Sequence, residues 1–588
     1  MPAAKNYRCR RHACRYSIRP VKRLGLLIAL AAIAAGGVVY TVRHGQSTSR
    51  AAVTALLPRN TVALVHLPDF NRSRDDWHQT DIYKLYQESA VQEFLHKPLS
   101  RVSQRDATSQ TLGDLENLSP KDAFLAVTSI ENDDPHFVGG FRFHGSQPDA
   151  DKIIDKWRSQ IVRDASAHET VDYEQHKIDI AGAAPNQIAT VYDGQWFFAS
   201  NDLAELKAVL DRADQRAKDP QAILESDEAF RAAMAHMPAS YALLFYVQPK
   251  GVSQKLTALR NTIGVPGDQN GVVDQIRSVC GATRFEGGKM RDVLFVGMAQ
   301  TQADRKLIRS SLNLGTADTF LYVATLINPD RLAGINQGVL PAGSWLQKVF
   351  DVAARAGVTA DDWKAAFDLE LGSLADWPQN SRWPSILATL PVKDSERANK
   401  LVGTLAHAID EDAVWKKAER NGVVYFSMQT PASLIAITPT LALSSRALIA
   451  GLDSASVESA IGRATQSSSE LANSPTYKAA ARSVPVPGGG FFYVDTALLY
   501  SRLDASLRPM LLMSAAFMPA ISDYVDVGKL PSPETVAKHL SPIVSSQRYE
   551  GDGYVTESVG PVTLSEAAIG LGLPAILWGK ARQHQDPN

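Results

Sequence analysis

Cysteine is nearly missing from this chain: there are three in 588 residues, and only Cys280 lies beyond position 14. No internal disulfide can therefore staple the bulk of the protein, and its stability must come from a packed core. Acidic residues are absent before Asp69. Nine of the 61 Lys and Arg lie at or before Arg43, which leaves 52 bases against all 62 acids beyond it, a net charge near −10. That balance disfavours nucleic acid as a partner. The hydrolase patterns G-x-S-x-G, H-E-x-x-H and S-x-x-K do not occur, and the 13 histidines are scattered rather than paired at helical spacing.

What is present begins with Leu24 to Val42, LGLLIALAAIAAGGVVYTV, an uncharged run. At the helical rise it spans roughly 28 Å, close to the hydrocarbon thickness of a bilayer. Lys5, Arg8, Arg10, Arg11, Arg15, Arg19, Lys22 and Arg23 precede it, and only Arg43 and Arg50 follow closely. These features predict a cytoplasmic basic tail (1–23), a transmembrane helix (24–42) and a linker (43–56), with membrane lipids as partners of anchor and tail. The bulk of the chain is then expected on the periplasmic or extracytoplasmic side of the inner membrane. A cleaved secretory signal, with small residues such as Ala32 and Ala34 at its processing site, is the competing reading and exports the same remainder.

Sliding the chain on itself reveals an internal repeat. Phe230-Arg231-Ala232-Ala233, Pro238 and Phe245-Tyr246-Val247 recur as Tyr477-Lys478-Ala479-Ala480, Pro485 and Phe492-Tyr493-Val494. Leu206 to Asp211 recurs as Leu448 to Asp453, Ala150 to Ile154 as Ala398 to Val402, and Arg284-Phe285-Glu286-Gly287 as Arg548-Tyr549-Glu550-Gly551. The order is preserved, which defines two repeats over 57–312 and 313–564, followed by a C-terminal apolar segment and tail (565–588). Thr61 to Leu67 would open the first repeat as Thr319 to Leu326 opens the second.

Within a repeat, β-branched and aromatic runs at Phe137 to Phe143, Gln187 to Val191 and Ala242 to Val247 read as strands. Ile82 to Phe94, Ala150 to Val162, Leu203 to Leu210 and Ala398 to Ile409 read as amphipathic helices. Asn328 and Asp495 are candidate helix caps. Arg284 to Met298 reads as a hairpin around Gly287-Gly288. The expected fold is thus α+β: an N-terminal transmembrane helix, then a large domain of two duplicated α+β halves with mixed or antiparallel sheets.

Each candidate for chemistry has a plainer structural reading beside it. His66 stands alone on an apolar strand, where a general base is conceivable, but Ala324 occupies the comparable place in the second repeat. Gly488-Gly489-Gly490 leads into a strand, not into a helix N-terminus that could hold phosphate. Glu131-Asn132-Asp133-Asp134 lacks the spacing of a Ca²⁺ loop. Cys9, His12 and Cys14 give three soft-metal donors among arginines, whose charge opposes a cation. The Phe-Tyr-Val strands suit core packing better than an aromatic platform. Ala567 to Gly579 is apolar but too short to cross a bilayer, so packing on the domain is expected, with interfacial docking through Trp578 as the alternative. No catalytic, cofactor-binding or metal residue is assigned, and no cofactor is expected.

Leu57-Pro58-Arg59-Asn60-Thr61 leading into VALVHLPDFNRSRDDW, the Phe-Tyr-Val strands, and HLSPIVSSQRYEGDGYVTESVGPV resemble an uncharacterised bacterial family of N-terminally anchored exported proteins carrying a domain-of-unknown-function label. The resemblance covers nearly the whole exported chain and implies no activity. The expectation is therefore a membrane-anchored binding or scaffold protein of the cell envelope, meeting an unknown protein, peptide or lipid. The alternative is a hydrolase-like envelope enzyme with its site in the cleft between the repeats.

Overall fold

The computed structural model describes residues 51–566 except 101–112, 132–133, 162–167, 183–186, 218, 220, 250–274, 302–304, 330–351, 410–414, 429–436, 467–468 and 518–525. Among the described residues twenty strands form one sheet, and every pairing in it is antiparallel. The first ten strands are β1 (Ala63–Asp69), β2 (Lys121–Glu131), β3 (Asp134–Arg142), β4 (His168–Tyr173), β5 (His176–Ala181), β6 (Ile188–Asp193), β7 (Trp196–Ser200), β8 (Leu243–Val247), β9 (Ser278–Glu286) and β10 (Lys289–Gly297). The second ten are β11 (Thr319–Leu326), β12 (Glu370–Asp376), β13 (Ser385–Pro391), β14 (Trp415–Arg420), β15 (Val423–Met428), β16 (Thr440–Leu443), β17 (Ala447–Gly451), β18 (Gly490–Val494), β19 (Ile543–Tyr549) and β20 (Tyr554–Gly560).

Pairing runs β4-β5-β6-β7-β3-β2-β1-β8-β9-β10 in the first half. The second half runs β14-β15-β16-β17-β13-β12-β11-β18-β19-β20 in the same connectivity. The halves join edge to edge through β10 and β20, from Met290 opposite Gly560 to Val296 opposite Tyr554. The strand order therefore reads the same from either end, and a pseudo-twofold passes through the middle of that pair, close to Val293 and Glu557.

Strand alternation explains how this sheet is covered. In β2 every second residue is buried, and neighbouring residues of β7 face opposite ways. Phe198 packs with Val138, Val191, Leu206 and Leu210, under the helix Leu203–Ala213. Phe197 packs with Phe143, Ala150 and Ile154, under the helix Gln147–Ile161. The second half repeats the arrangement. Leu374, Leu387 and Ile449 meet Val457 and Ala460 of Ser454–Arg463 on one face, while Phe426 and Leu443 meet Ala398, Leu401 and Val402 of Ser395–Ile409 on the other.

Local signals place several of these elements. Asp202, Asp227 and Asp453 cap the helices that follow them by accepting backbone N–H bonds, and Asp495 accepts from Leu498 N at 3.0 Å to open Thr496–Phe517. That helix runs on well past Leu503, through Pro509. The β9–β10 turn uses Gly287 and Gly288 at φ of 59° and 80°, where a side chain would be strained.

The structure corrects the expected fold class. Among the described residues no helix is long and apolar enough to cross a membrane, so an N-terminal transmembrane helix is not supported; residues 24–42, on which that expectation fell, lie outside the described residues. The observed class is one large antiparallel sheet with helices. Among the described residues every register is antiparallel, so the sheet is not mixed, and the β10–β20 pair joins the two halves into one sheet. The tail with Cys9, His12 and Cys14, and the segment Ala567 to Gly579, likewise fall outside the described residues.

Candidate functional site

Most of the motifs singled out above are absorbed by the fold. Gly488 and Gly489 both donate backbone N–H bonds to Gln547 O at 2.9 Å, tying the start of β18 to β19. Glu131 and Asp134 close the β2–β3 hairpin as a cross-strand pair. Tyr246 and Tyr493 are buried to 0% and 1% exposure, and burial pushes both phenols far above their ordinary pKa. They pack in T-shaped contacts with Phe230 and Tyr477 respectively, so these aromatic strands are core.

His66 is also buried, at 2% exposure. Its Nδ1 lies 2.9 Å from Tyr241 Oη, and its Nε2 lies 3.8 Å from Asp122 Oδ1. Asp122 is fully buried, forms an ion pair with Arg142, and adopts φ of 48°, a strained conformation for this residue type. Register places Ala324 and Glu370 at the corresponding positions of the second half. Glu370 accepts from the backbone N–H groups of Ile308, Arg309 and Ser310 at 2.9, 2.9 and 2.6 Å. Both carboxylates therefore anchor structure, and neither His66 nor Asp122 is open to a substrate.

Shifted carboxyl groups gather at the seam between the halves. On β10, Asp292 accepts from Thr283 Oγ1 at 2.8 Å and from Thr563 Oγ1, and burial raises its pKa. Glu566 is pushed up to about 7, by burial first and then by the charge of Asp292. Its Oε2 accepts from Thr563 N at 3.1 Å. On the other side of the seam, Glu557 lies 3.3 Å from Arg291 and 3.0 Å from Arg548. His236 bridges Glu550 at 3.0 Å and Asp552 at 2.9 Å while stacking on Phe295, with centroids 4.6 Å apart. Each of these carboxyl groups is held by at least one hydrogen bond or ion pair.

A different constellation lies near the outer edge of the first half. The β4–β5 turn presents His176, whose preceding Glu174 sits at φ of 53°, and the β6–β7 turn presents Asp193 beside Gly194 at 58°. Because β5 pairs with β6, the two turns share one end of the sheet. Asp214, the C-terminal cap of Leu203–Ala213, arrives from above. One ligand atom from each of His176, Asp193 and Asp214 lies within 4.8 Å of the others, with His176 Nε2 2.9 Å from Asp214 Oδ2. Gln215, at φ of 57°, turns the chain so that Arg216 reaches Asp214 at 2.6 Å, Asp211 at 3.3 Å and Glu174 at 3.8 Å. Burial alone would raise Asp214, but hydrogen bonds and charge from His176 and Arg216 prevail and hold it below the ordinary carboxylate range.

Sequence reasoning passed over this trio because 176, 193 and 214 match no short ligand spacing; only the β4–β7 pairing together with the helix that follows β7 brings them together. The one cue was that His176 and Asp193 each adjoin a hairpin turn.

No family model matches the chain, and no curated protein matches it. Solved structures that match include crystal forms III, IV and I of TP0453, at 5%, 5% and 4% identity and TM-scores of 0.24, 0.23 and 0.22. Each covers 42% of this chain and 79–80% of its own. Similarity at this level carries no argument about fold or function.

Proposed function

We propose that the protein is a binding or scaffold protein of the extracytoplasmic envelope, docking a protein partner through the apolar end of the helix Thr496–Phe517. The observation that carries this reading is exposure: Leu511, Leu512, Met513 and Phe517 are 42%, 47%, 59% and 85% exposed on adjoining turns. Clustered large apolar side chains facing water mark interaction surfaces more often than scattered single ones. Arg508, bonded to Asp504 and to the carbonyls of Leu530 and Pro531, fixes the helix just before these residues emerge. The four side chains surround the end of the helix, so the partner that fits is a protein with an apolar pocket that encloses it. The placement outside the cytoplasm rests on the charge asymmetry of the sequence, in which no acid precedes Asp69.

A photo-crosslinking residue at Phe517, in the full chain in cells, is expected to trap one discrete partner band. The same residue at the exposed edge position Lys416 should not. Equal yields at both positions would refute the docking role. Turnover of a hydrolase substrate by the purified chain, abolished by one side-chain change, would refute the noncatalytic reading.

A further inference from the structure

We propose that His176, Asp193 and Asp214 form a binding site for one divalent transition cation of the Zn²⁺ class. One imidazole nitrogen and two carboxylate oxygens are donors suited to a borderline cation, and three protein ligands plus water complete a four-coordinate shell. Bonds of about 2.0–2.2 Å in tetrahedral geometry separate donor atoms by about 3.4 Å. The trio is already gathered within 4.8 Å, so closure on an ion needs movements of roughly an ångström or less.

Three observations separate this trio from ordinary surface charge. The His176 ring is 7% exposed and aims Nε2 into the cluster. Asp193 is half-buried, and among the described residues its carboxylate has no hydrogen bond or ion pair. Its oxygens reach solvent, so a cation would replace water on them rather than a protein partner. Third, the corresponding places in the second half, set by the β14–β15 and β16–β17 registers and by the following helix, hold Val423, Ser444 and Thr465. The same fold is therefore built without these donors.

The cations nearby do not oppose binding outright. Arg216 reaches Asp214 Oδ2 and acts as the outer partner that orients a ligating carboxylate. Lys207 lies over the Tyr173 ring at 4.9 Å, and the Tyr173 hydroxyl donates to Asp211 at 3.0 Å. Asp193, Asp214, Asp211 and Glu174 together outweigh Arg216 and Lys207, so the local charge still favours a cation.

The test is titration calorimetry of the full chain with ZnCl2, in a Cys9→Ser/Cys14→Ser background that removes the thiol donors of the tail. One Zn²⁺ per chain is expected, weakened by about tenfold or more in Asp193→Asn and in His176→Val. Co²⁺ loaded in place of Zn²⁺ should give the visible bands of a tetrahedral centre, lost in the same variants. Among the described residues Asp193 makes no side-chain bond that its amide would break, so Asp193→Asn decides the matter even where His176→Val folds poorly. Absence of stoichiometric binding, or affinity unchanged by Asp193→Asn, overturns the proposal. Neither result bears on docking through the Thr496–Phe517 helix.

Discussion

Truncating Phe295 to alanine should loosen the joint between the two halves. Phe295 is 0% exposed, lies opposite Val555 in the β10–β20 pair, and stacks on His236 at an interplanar angle of 13°. Its ring also lies against Gly553, where an added Cβ would come within 2.5 Å of Phe295 Cε2 and of Val296 O. Removing a buried phenyl ring costs about 3–5 kcal/mol, of which roughly 0.5–1.5 kcal/mol belongs to the aromatic stack. Phe295→Leu keeps most of the apolar volume and should cost about 1–2 kcal/mol. Urea unfolding followed by tryptophan fluorescence is the assay. With a slope of about 3 kcal/mol per molar, the alanine variant should unfold roughly 1 M earlier and the leucine variant less than half as far. Hydrogen exchange in 548–556, the hairpin that His236 grips, should accelerate in the alanine variant before exchange in β4–β7 does. A midpoint shift corresponding to less than about 1 kcal/mol, or exchange rising equally everywhere, would show that the seam is not held as described.

Two pH predictions follow from the same region. Glu566 is raised to about 7 from 4.5, so the folded state holds this proton more tightly than the unfolded chain. Stability attributable to it is full below the unfolded value and declines between about pH 4.5 and 7, by about 3 kcal/mol. Glu566→Gln should flatten the stability–pH curve over that window, and an unchanged slope would remove Glu566 as its source. Glu550 has the opposite sign: burial raises it, but Arg548 and His236 outweigh burial and hold it below the ordinary range. Its contribution is present above the unfolded value and lost as pH falls through the lower folded one. Glu550→Gln should therefore unfold with a weaker acid dependence than the parent in urea titrations between pH 5 and 2.5.

Elements marked by strong local signals could be read from the sequence. Thr319–Leu326 forms as β11 with the bounds its β-branched run suggested, and the hairpin at Gly287-Gly288 forms because glycine tolerates the positive φ of its turn. Strand order could not be read, since every antiparallel neighbour looks alike to a period-two pattern. The helix expected over Ile82 to Phe94 is divided into Asp81–Gln87 and Ser89–Ser100, with Glu88 between them lying 2.8 Å from Lys538 and 2.7 Å from His539. Such a long-range tie leaves no trace in local periodicity. The trio at His176 escaped for the same reason, whereas His66 drew notice because a lone histidine on an apolar strand stands out. Burial, which the sequence pattern does imply, makes His66 the less accessible of the two.

The palindromic strand order bears on why a chain this long is one sheet. A half ending at β10 alone would expose the backbone of a strand carrying Met290, Val293, Leu294, Phe295 and Val296, the kind of edge that pairs with other chains. The half ending at β20 would expose Tyr554, Val555 and Val559. Pairing the two edges within one molecule removes both hazards. The remaining outer edges are strands of a different character. β4 carries exposed His168, Glu169 and Asp172, and β14 carries exposed Lys416, Lys417, Glu419 and Arg420. Charge on both discourages a neighbour from adding a strand. Apolar edges are thus spent on the internal seam and charged ones left to solvent, which makes continuation of the sheet into a second molecule unfavourable. The docking proposed for the end of Thr496–Phe517 would accordingly be made by side chains and not by an added strand.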